Sequence, residues 1–128
     1  MSATDEALQG AELLEAVTAA MVELHQRYHH RKPVTAKTQL MGGDLLVCVM
    51  GGVYTEVEKT MIELQRHTIV AETRNAFQLA MQEKFIGAVE RLSGRRVIAF
   101  MSDSNVGPDL EIELFVLEPD GHGPDATS

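Results

Sequence analysis

Along the first part of the chain, apolar side chains return every third or fourth residue: Ala7, Ala11, Leu14, Val17, Met21, Leu24 and Tyr28. That spacing keeps them on one stripe of a helix and turns Glu12, Glu15, Glu23 and Gln26 largely to other faces. Ser2 or Thr4 can cap its start, and Asp5 and Glu6 suit its positive end. Arg27, Arg31 and Lys32 lie at its negative end, and Pro33 stops it. The stripe fits packing on the domain's own sheet or a seam with a second helix.

After Pro33 the period changes to two. Val34, Ala36, Thr38 and Leu40 alternate with Thr35, Lys37 and Gln39, which predicts a half-buried strand over 34–41. Gly42-Gly43-Asp44 marks a turn. Leu45 to Met50 is apolar on both faces, so the strand over 45–51 is either covered on both sides or half of a dimer contact. Thr55-Glu56-Val57-Glu58 is a capping box, in which the Thr55 hydroxyl and the Glu58 carboxylate each accept from the other's amide. A helical stretch follows to Ser93, with Gly94 as its C-cap. One rod of that length exceeds the width of so small a domain, which predicts a break in the β-branched run Thr68-Ile69-Val70. The second half carries Val70, Thr73, Phe77, Ala80/Met81, Lys84/Phe85, Ala88 and Leu92 as its inner stripe.

A second strand pair closes the pattern. Val97, Ala99 and Met101 alternate with Ile98, Phe100 and Ser102 in a strand over 96–102, and Asp103 to Asp109 reads as a loop. In the strand over 110–117, Leu110, Ile112, Leu114 and Val116 face inward and Glu111 and Glu113 take the wet face. Pro119 to Ser128 lacks apolar periodicity and reads as a disordered tail over 119–128. The order α-β-β-α(α)-β-β predicts an α+β two-layer sandwich over 1–118. Its four-stranded, mainly antiparallel sheet carries helices on one face.

Composition sharpens this picture. The 128 residues make about one domain. Aromatic residues are only 5% and Trp is absent, so the core is aliphatic and rich in Met. A net charge of −8 argues against nucleic-acid and anionic-membrane partners. Cys48 is the one cysteine, which excludes an intrachain disulfide and fits a reducing compartment. The N-terminus is acidic and lacks the apolar core of a signal peptide. The longest apolar run, Leu45 to Met50, is far short of the about 20 residues that span a bilayer. These features point to a cytoplasmic protein without direct membrane insertion.

Several segments resemble those of one bacterial family. The run from Glu90 through Leu92-Ser93-Gly94-Arg95-Arg96 to Val97-Ile98-Ala99-Phe100-Met101-Ser102-Asp103 is similar to its helix–Gly–strand signature. Pro108-Asp109-Leu110, followed by Glu113-Leu114-Phe115-Val116-Leu117-Glu118, looks like its last strand. Gly52-Val53-Tyr54-Thr55-Glu56-Val57-Glu58-Lys59 is similar to its "G-V-L-T-x-x-E" helix start, and Arg74 sits where the family carries an arginine. The likeness runs from roughly Ala11 to Glu118. Two features depart from the family: His30-Arg31-Lys32-Pro33 replaces a Gly-x-Gly-Pro turn, and Glu56 stands in place of a proline. The chain thus resembles the MpsC-like family, which is named for a sodium-translocating, membrane-potential-generating system related to inorganic-carbon uptake. The resemblance therefore implies a cytoplasmic, non-enzymatic accessory or regulatory protein that contacts a membrane transporter subunit, with no established catalytic residues.

The residues offer little catalytic chemistry beside this. Arg27, His29, His30, Arg31, Lys32 and Lys37 form the dense basic stretch of an acidic chain. They are the candidate ligand- or partner-binding residues, for a small anion such as phosphate or bicarbonate or for an acidic surface. The bland alternative is dipole compensation at a helix end. A small-anion sensor using residues 27–37 is thus the second functional reading. His25 and His29 are four apart, but no third ligand stands at helpful spacing, so no metal and no cofactor are expected. Asp103, Asp109, Glu111 and Glu113 read as surface charge. Cys48, inside an apolar strand, reads as an inert thiol. No catalytic residue is expected. A homodimer is: the strands carry more apolar surface than one helical layer can cover, and Phe115 and Leu117 share the face assigned to Glu111 and Glu113.

Overall fold

The computed structural model describes residues 7–105 and 107–119. Its elements are helix α1 (Gly10–His29), strands β1 (Thr35–Met41) and β2 (Leu45–Gly51), helices α2 (Glu56–Glu63) and α3 (His67–Ser93), and strands β3 (Val97–Asn105) and β4 (Leu110–Leu117). The sheet order is β1-β2-β4-β3, every neighbouring pair antiparallel. The expected α+β sandwich, with four strands and helices on one face, is what forms. Ser2 and Thr4, and nearly all of the expected tail, lie outside the described residues.

The break in the long helical stretch falls earlier than expected. Leu64 caps α2, and Gln65 adopts a left-handed backbone with φ 63°. The amide of Arg66 then bonds to the Met61 carbonyl at 2.8 Å, and that of Gln65 to Ile62 at 3.0 Å. These two bonds are a Schellman closure, normally built on glycine. Thr68, Ile69 and Val70 instead open α3, where no preceding turn crowds a branched side chain. β3 is also longer than expected. Asp103, Ser104 and Asn105 belong to the strand, paired with Ile112, Glu111 and Leu110.

The core lies between the helices and one face of the sheet. Leu13, Val17 and Met21 of α1 and Met81, Phe85 and Val89 of α3 pack on Leu46, Cys48 and Met50 of β2 and Phe115 and Leu117 of β4. The Phe100 ring bridges Phe85 and Phe115, with centroids 6.2 and 5.0 Å away. Two expected stripes are turned relative to the observed ones. In α1 the buried line runs Leu13, Val17, Met21, His25, while Ala11 and Tyr28 are exposed and Ala7 lies before the helix starts. In α3 it runs Val70, Arg74, Gln78, Met81, Phe85, leaving Thr73, Ala80 and Lys84 outside. In both helices a polar residue occupies the inner line, where a hydrophobic pattern does not place it.

The same correction applies to β4. Glu111 and Glu113 face the helices with Phe115 and Leu117 and are buried, while Ile112, Leu114 and Val116 face away. The opposite sheet face therefore shows Leu45, Val47 and Val49 of β2 and Ile112, Leu114 and Val116 of β4, joined by Met101 of β3 and Met41 of β1. No described helix covers it, and Met101 is 57% exposed.

The strained turn gives a direct test. Replacing Gln65 by Gly should raise unfolding stability by about 1 kcal/mol in urea, because glycine adopts the left-handed backbone without a Cβ clash. Gly52→Ala should lower stability instead: φ is 68°, and a Cβ there would meet the Val34 Cβ at 2.6 Å.

Candidate functional site

The richest chemistry lies inside the fold. Arg74 projects from the first third of α3 and is fully buried. A buried guanidinium carries five donors that need acceptors, and four hydrogen bonds reach it from α2, β4 and the segment after β2. Nε and Nη2 form a fork on Glu58 of α2, at 2.8 Å to Oε2 and 2.7 Å to Oε1. Nη1 reaches Glu111 Oε1 of β4 at 2.8 Å. Nη2 also reaches the Val53 carbonyl at 2.5 Å. The guanidinium carbon stands 4.7 Å from the Tyr54 ring centroid, a cation–π contact.

Each anion is fixed by its own local structure. Glu58, the third residue of α2, closes the capping box: its Oε1 accepts from the Thr55 amide at 2.8 Å, and its own amide bonds to Thr55 Oγ1 at 3.2 Å. The segment before it is pinned by Asp109, whose Oδ1 accepts from the amides of Val53 at 2.8 Å and Tyr54 at 3.2 Å. Two histidines of α1 complete the cluster. His25 Nε2 lies 2.6 Å from Glu111 Oε2, and its Nδ1 is 3.1 Å from the Met21 carbonyl. His29 Nε2 lies 3.3 Å from Glu58 Oε1. Beside them, Glu113 Oε1 accepts from the Ser102 hydroxyl, and its Oε2 is buried without a protein partner among the described residues. His25, Glu111 and Glu113 each offer a donor atom within 4.8 Å of the others, the one such group among the described residues.

The electrostatics split the carboxylates into two kinds. Burial alone would raise Glu58, but the bonds from His29, Arg74 and the Thr55 amide outweigh it and hold the carboxyl at about 2. Glu111 is also held low: burial opposes ionisation, and His25 and Arg74 overcome it. Glu113 goes the other way. Burial, and then the neighbouring Glu111 carboxylate, push it far up, so it stays protonated at neutral pH. Burial likewise raises the Cys48 thiol to about 11, which removes it as a nucleophile.

The basic stretch is divided rather than gathered. Arg27 is exposed and faces Glu23 at 3.8 Å. His29 points inward to Glu58, and Arg31 Nε donates to the Gly52 carbonyl at 3.1 Å. His30 is exposed and forms the left-handed cap of α1, with φ 59°. Lys32 and Lys37 are exposed, Lys37 on the sheet face away from the helices. The surface-charge reading of Glu111 and Glu113 fails for a physical reason: Arg74 and His25 bring compensating groups to the inner side of β4. Their parity with Phe115 and Leu117 was the signal, together with an arginine among the apolar residues of α3.

A family model for the Na+-translocating membrane potential-generating system (MpsC) matches residues 9–119, from the start of α1 past the end of β4. The chain belongs to the MpsC family. Thr55, Glu58, Arg74 and Glu111 all lie inside the matched span of this MpsC chain. No curated protein and no solved structure gives a significant match. Among the described residues, no helix is long and apolar enough to cross a membrane.

Removing Arg74 leaves Glu58 and Glu111 buried without their shared cation. Arg74→Ala should cost about 3–5 kcal/mol in chemical denaturation, whereas exposed Arg27→Ala should stay within about 0.5 kcal/mol.

The pH dependence has two opposing parts. Glu58 and Glu111 titrate lower in the folded chain than their ordinary value of 4.5, so their stabilisation is present above 4.5 and is lost as pH falls toward about 2. Glu113 titrates higher when folded, so its contribution is full below 4.5 and fades as pH rises. Glu113→Gln removes that second slope. Its stability relative to wild type should therefore increase between pH 5 and pH 8 in urea unfolding.

Proposed function

We propose that the chain is a non-enzymatic accessory or regulatory subunit of a cytoplasmic assembly that serves a sodium or inorganic-carbon transport system, and that it works as a homodimer. The link to transport rests on the family's description. The non-enzymatic reading is supported by the closure of the charged cluster: His25, Arg74 and Glu111 have no exposed side-chain surface, and Glu58 and His29 have 9% and 10%. A substrate does not reach these groups in the folded chain.

The observation that carries the dimer is the uncovered sheet face. Val47, Val49, Ile112 and Leu114 form its centre, and each forgoes part of the about 1.5–3 kcal/mol that full burial is worth. The charges on its rim favour a second copy of this chain as the cover. Lys37, Val49, Ile112 and Asp103 lie in one row across the four strands. Lys37 and Asp103 are both exposed and mark opposite ends of that row. A twofold axis parallel to the strands stacks β1 of one copy over β3 of the other and keeps the row in register. Each Lys37 then meets the partner's Asp103 at the rim of an apolar interface. Face-to-face sheets pack about 10 Å apart and within about 30° of aligned, which suits this arrangement. Such an isologous contact closes on itself and leaves the helical layer free for a transporter subunit.

Light scattering at low micromolar concentration should give about twice the chain mass of 14.1 kDa. Leu114→Asp should yield the monomer with unchanged far-ultraviolet dichroism. Lys37→Asp should weaken the dimer, and adding Asp103→Lys should restore it. A mass that remains at 14.1 kDa on concentrating sinks the dimer. The accessory role is tested separately by capture from native membranes: it requires an integral ion-transport subunit to co-purify, and its absence would refute the role.

A further inference from the structure

We propose that His25, Glu111 and Glu113 form a binding site for one divalent transition-metal ion of the zinc type. The reading is independent of the dimer and rests on the inner face of the sheet. His25 comes from α1 and both carboxylates from β4, two residues apart on one side of the strand. Their donor atoms lie within 4.8 Å of one another, and all three residues are buried.

The second atom of each residue is already held by a neighbour. His25 Nδ1 donates to the Met21 carbonyl at 3.1 Å, which fixes the ring and directs Nε2 at the carboxylates. Glu111 Oε1 is held by Arg74 at 2.8 Å. Glu113 Oε1 is held by the Ser102 hydroxyl. What remains pointing inward is Nε2, Glu111 Oε2 and Glu113 Oε2, and the last has no protein partner among the described residues. Outer groups that fix the tautomer of a ligating imidazole and orient its carboxylate companions are the usual surroundings of a metal.

Donor type points the same way. Imidazole nitrogen with two carboxylates suits zinc, whereas calcium and magnesium call for six or more oxygen ligands. Bonds of about 2.0–2.2 Å place tetrahedral donors about 3.3–3.6 Å apart. The His25–Glu111 pair, now at 2.6 Å, opens by less than about 1 Å to admit the ion. Three protein ligands leave one position for water. Because the site is closed in the folded chain, the ion enters as the chain folds.

The test refolds the purified full-length chain from denaturant in metal-free buffer, with Zn2+ or Co2+ as the sole added metal, and removes excess by gel filtration. The expected result is one retained ion per chain, a visible ligand-field band of four-coordinate Co2+, and a higher unfolding midpoint with Zn2+. Glu113→Gln keeps the neutral shape of the carboxyl and should fold, with Zn2+ affinity reduced on the order of 100-fold. If it does not fold, Ser102→Ala replaces it and should lose about tenfold. A triple change of His30, His67 and His122 to Ala should retain the ion. Failure of the wild-type chain to retain metal overturns the proposal. So does equal retention by Glu113→Gln or, where that variant does not fold, by Ser102→Ala, and so does loss in the triple variant.

Discussion

A single guanidinium, withdrawn from water and matched by two carboxylates, sets the arrangement of most of this fold. Arg74 sits in α3, Glu58 in α2, Glu111 in β4 and Val53 in the segment after β2, and all four meet within hydrogen-bond distance. The ion pairs add little net stability over a well-packed apolar substitute, since desolvation offsets most of their attraction. Their effect is on geometry. A helix that slid by one turn would leave two charges buried and unmatched, an error of several kcal/mol. The network thereby fixes how α2 and α3 meet at the Gln65 turn and how both sit on the sheet. His25 and His29 extend the same constraint to α1, twenty residues of helix otherwise held by aliphatic contact and by the Thr18–Thr38 hydroxyl bond to β1.

This constraint also explains why the two sheet faces differ. Every described helix has a side chain that reaches the cluster, so all three lie on one side of β4. The other side keeps an apolar face that an isolated sheet would not favour. The uncovered apolar face and the polar core are thus consequences of the same packing choice. The hairpin ends reinforce it: Asp109 holds the Val53 and Tyr54 amides, and Tyr54 in turn donates to the Asn105 carbonyl at 2.6 Å.

The element order, the capping box, the Gly94 cap and three of the four strands were legible in the sequence because each depends on neighbours a few residues away. The turn at Gln65 was not, because it relies on a left-handed backbone at a residue that seldom adopts one. The core stripes were legible only in part. Periodicity finds Val17, Met21, Met81 and Phe85, but it treats His25, Arg74 and Gln78 as outward, since burial of a polar group depends on partners elsewhere in the chain. The family likeness singled out Arg74 and the Thr55–Glu58 start without saying that they touch. Glu111 and Glu113 were read outward although Phe115 and Leu117 share their parity. One parity of β4 had to contain large apolar side chains whichever face was buried, and only the cations from α1 and α3 decide between them.

The alternation of β4 also joins the two surfaces physically. Glu111 and Glu113 point into the charged cluster, and the residues between and after them, Ile112 and Leu114, point to the open face. The backbone that carries both sets is paired on each side, with β2 and with β3. A central strand with both edges occupied cannot rotate to serve one face without disturbing the other. It also cannot shift by one residue, because that would place carboxylates on the apolar face and isoleucine against Arg74. The charged cluster therefore acts as a register lock for the apolar face. Leu114 and Ile112 keep fixed positions on the open face because Glu113 and Glu111 are held on the far side. In the dimer we propose, such preorganisation would reduce the ordering cost of association, through ions that the interface does not touch.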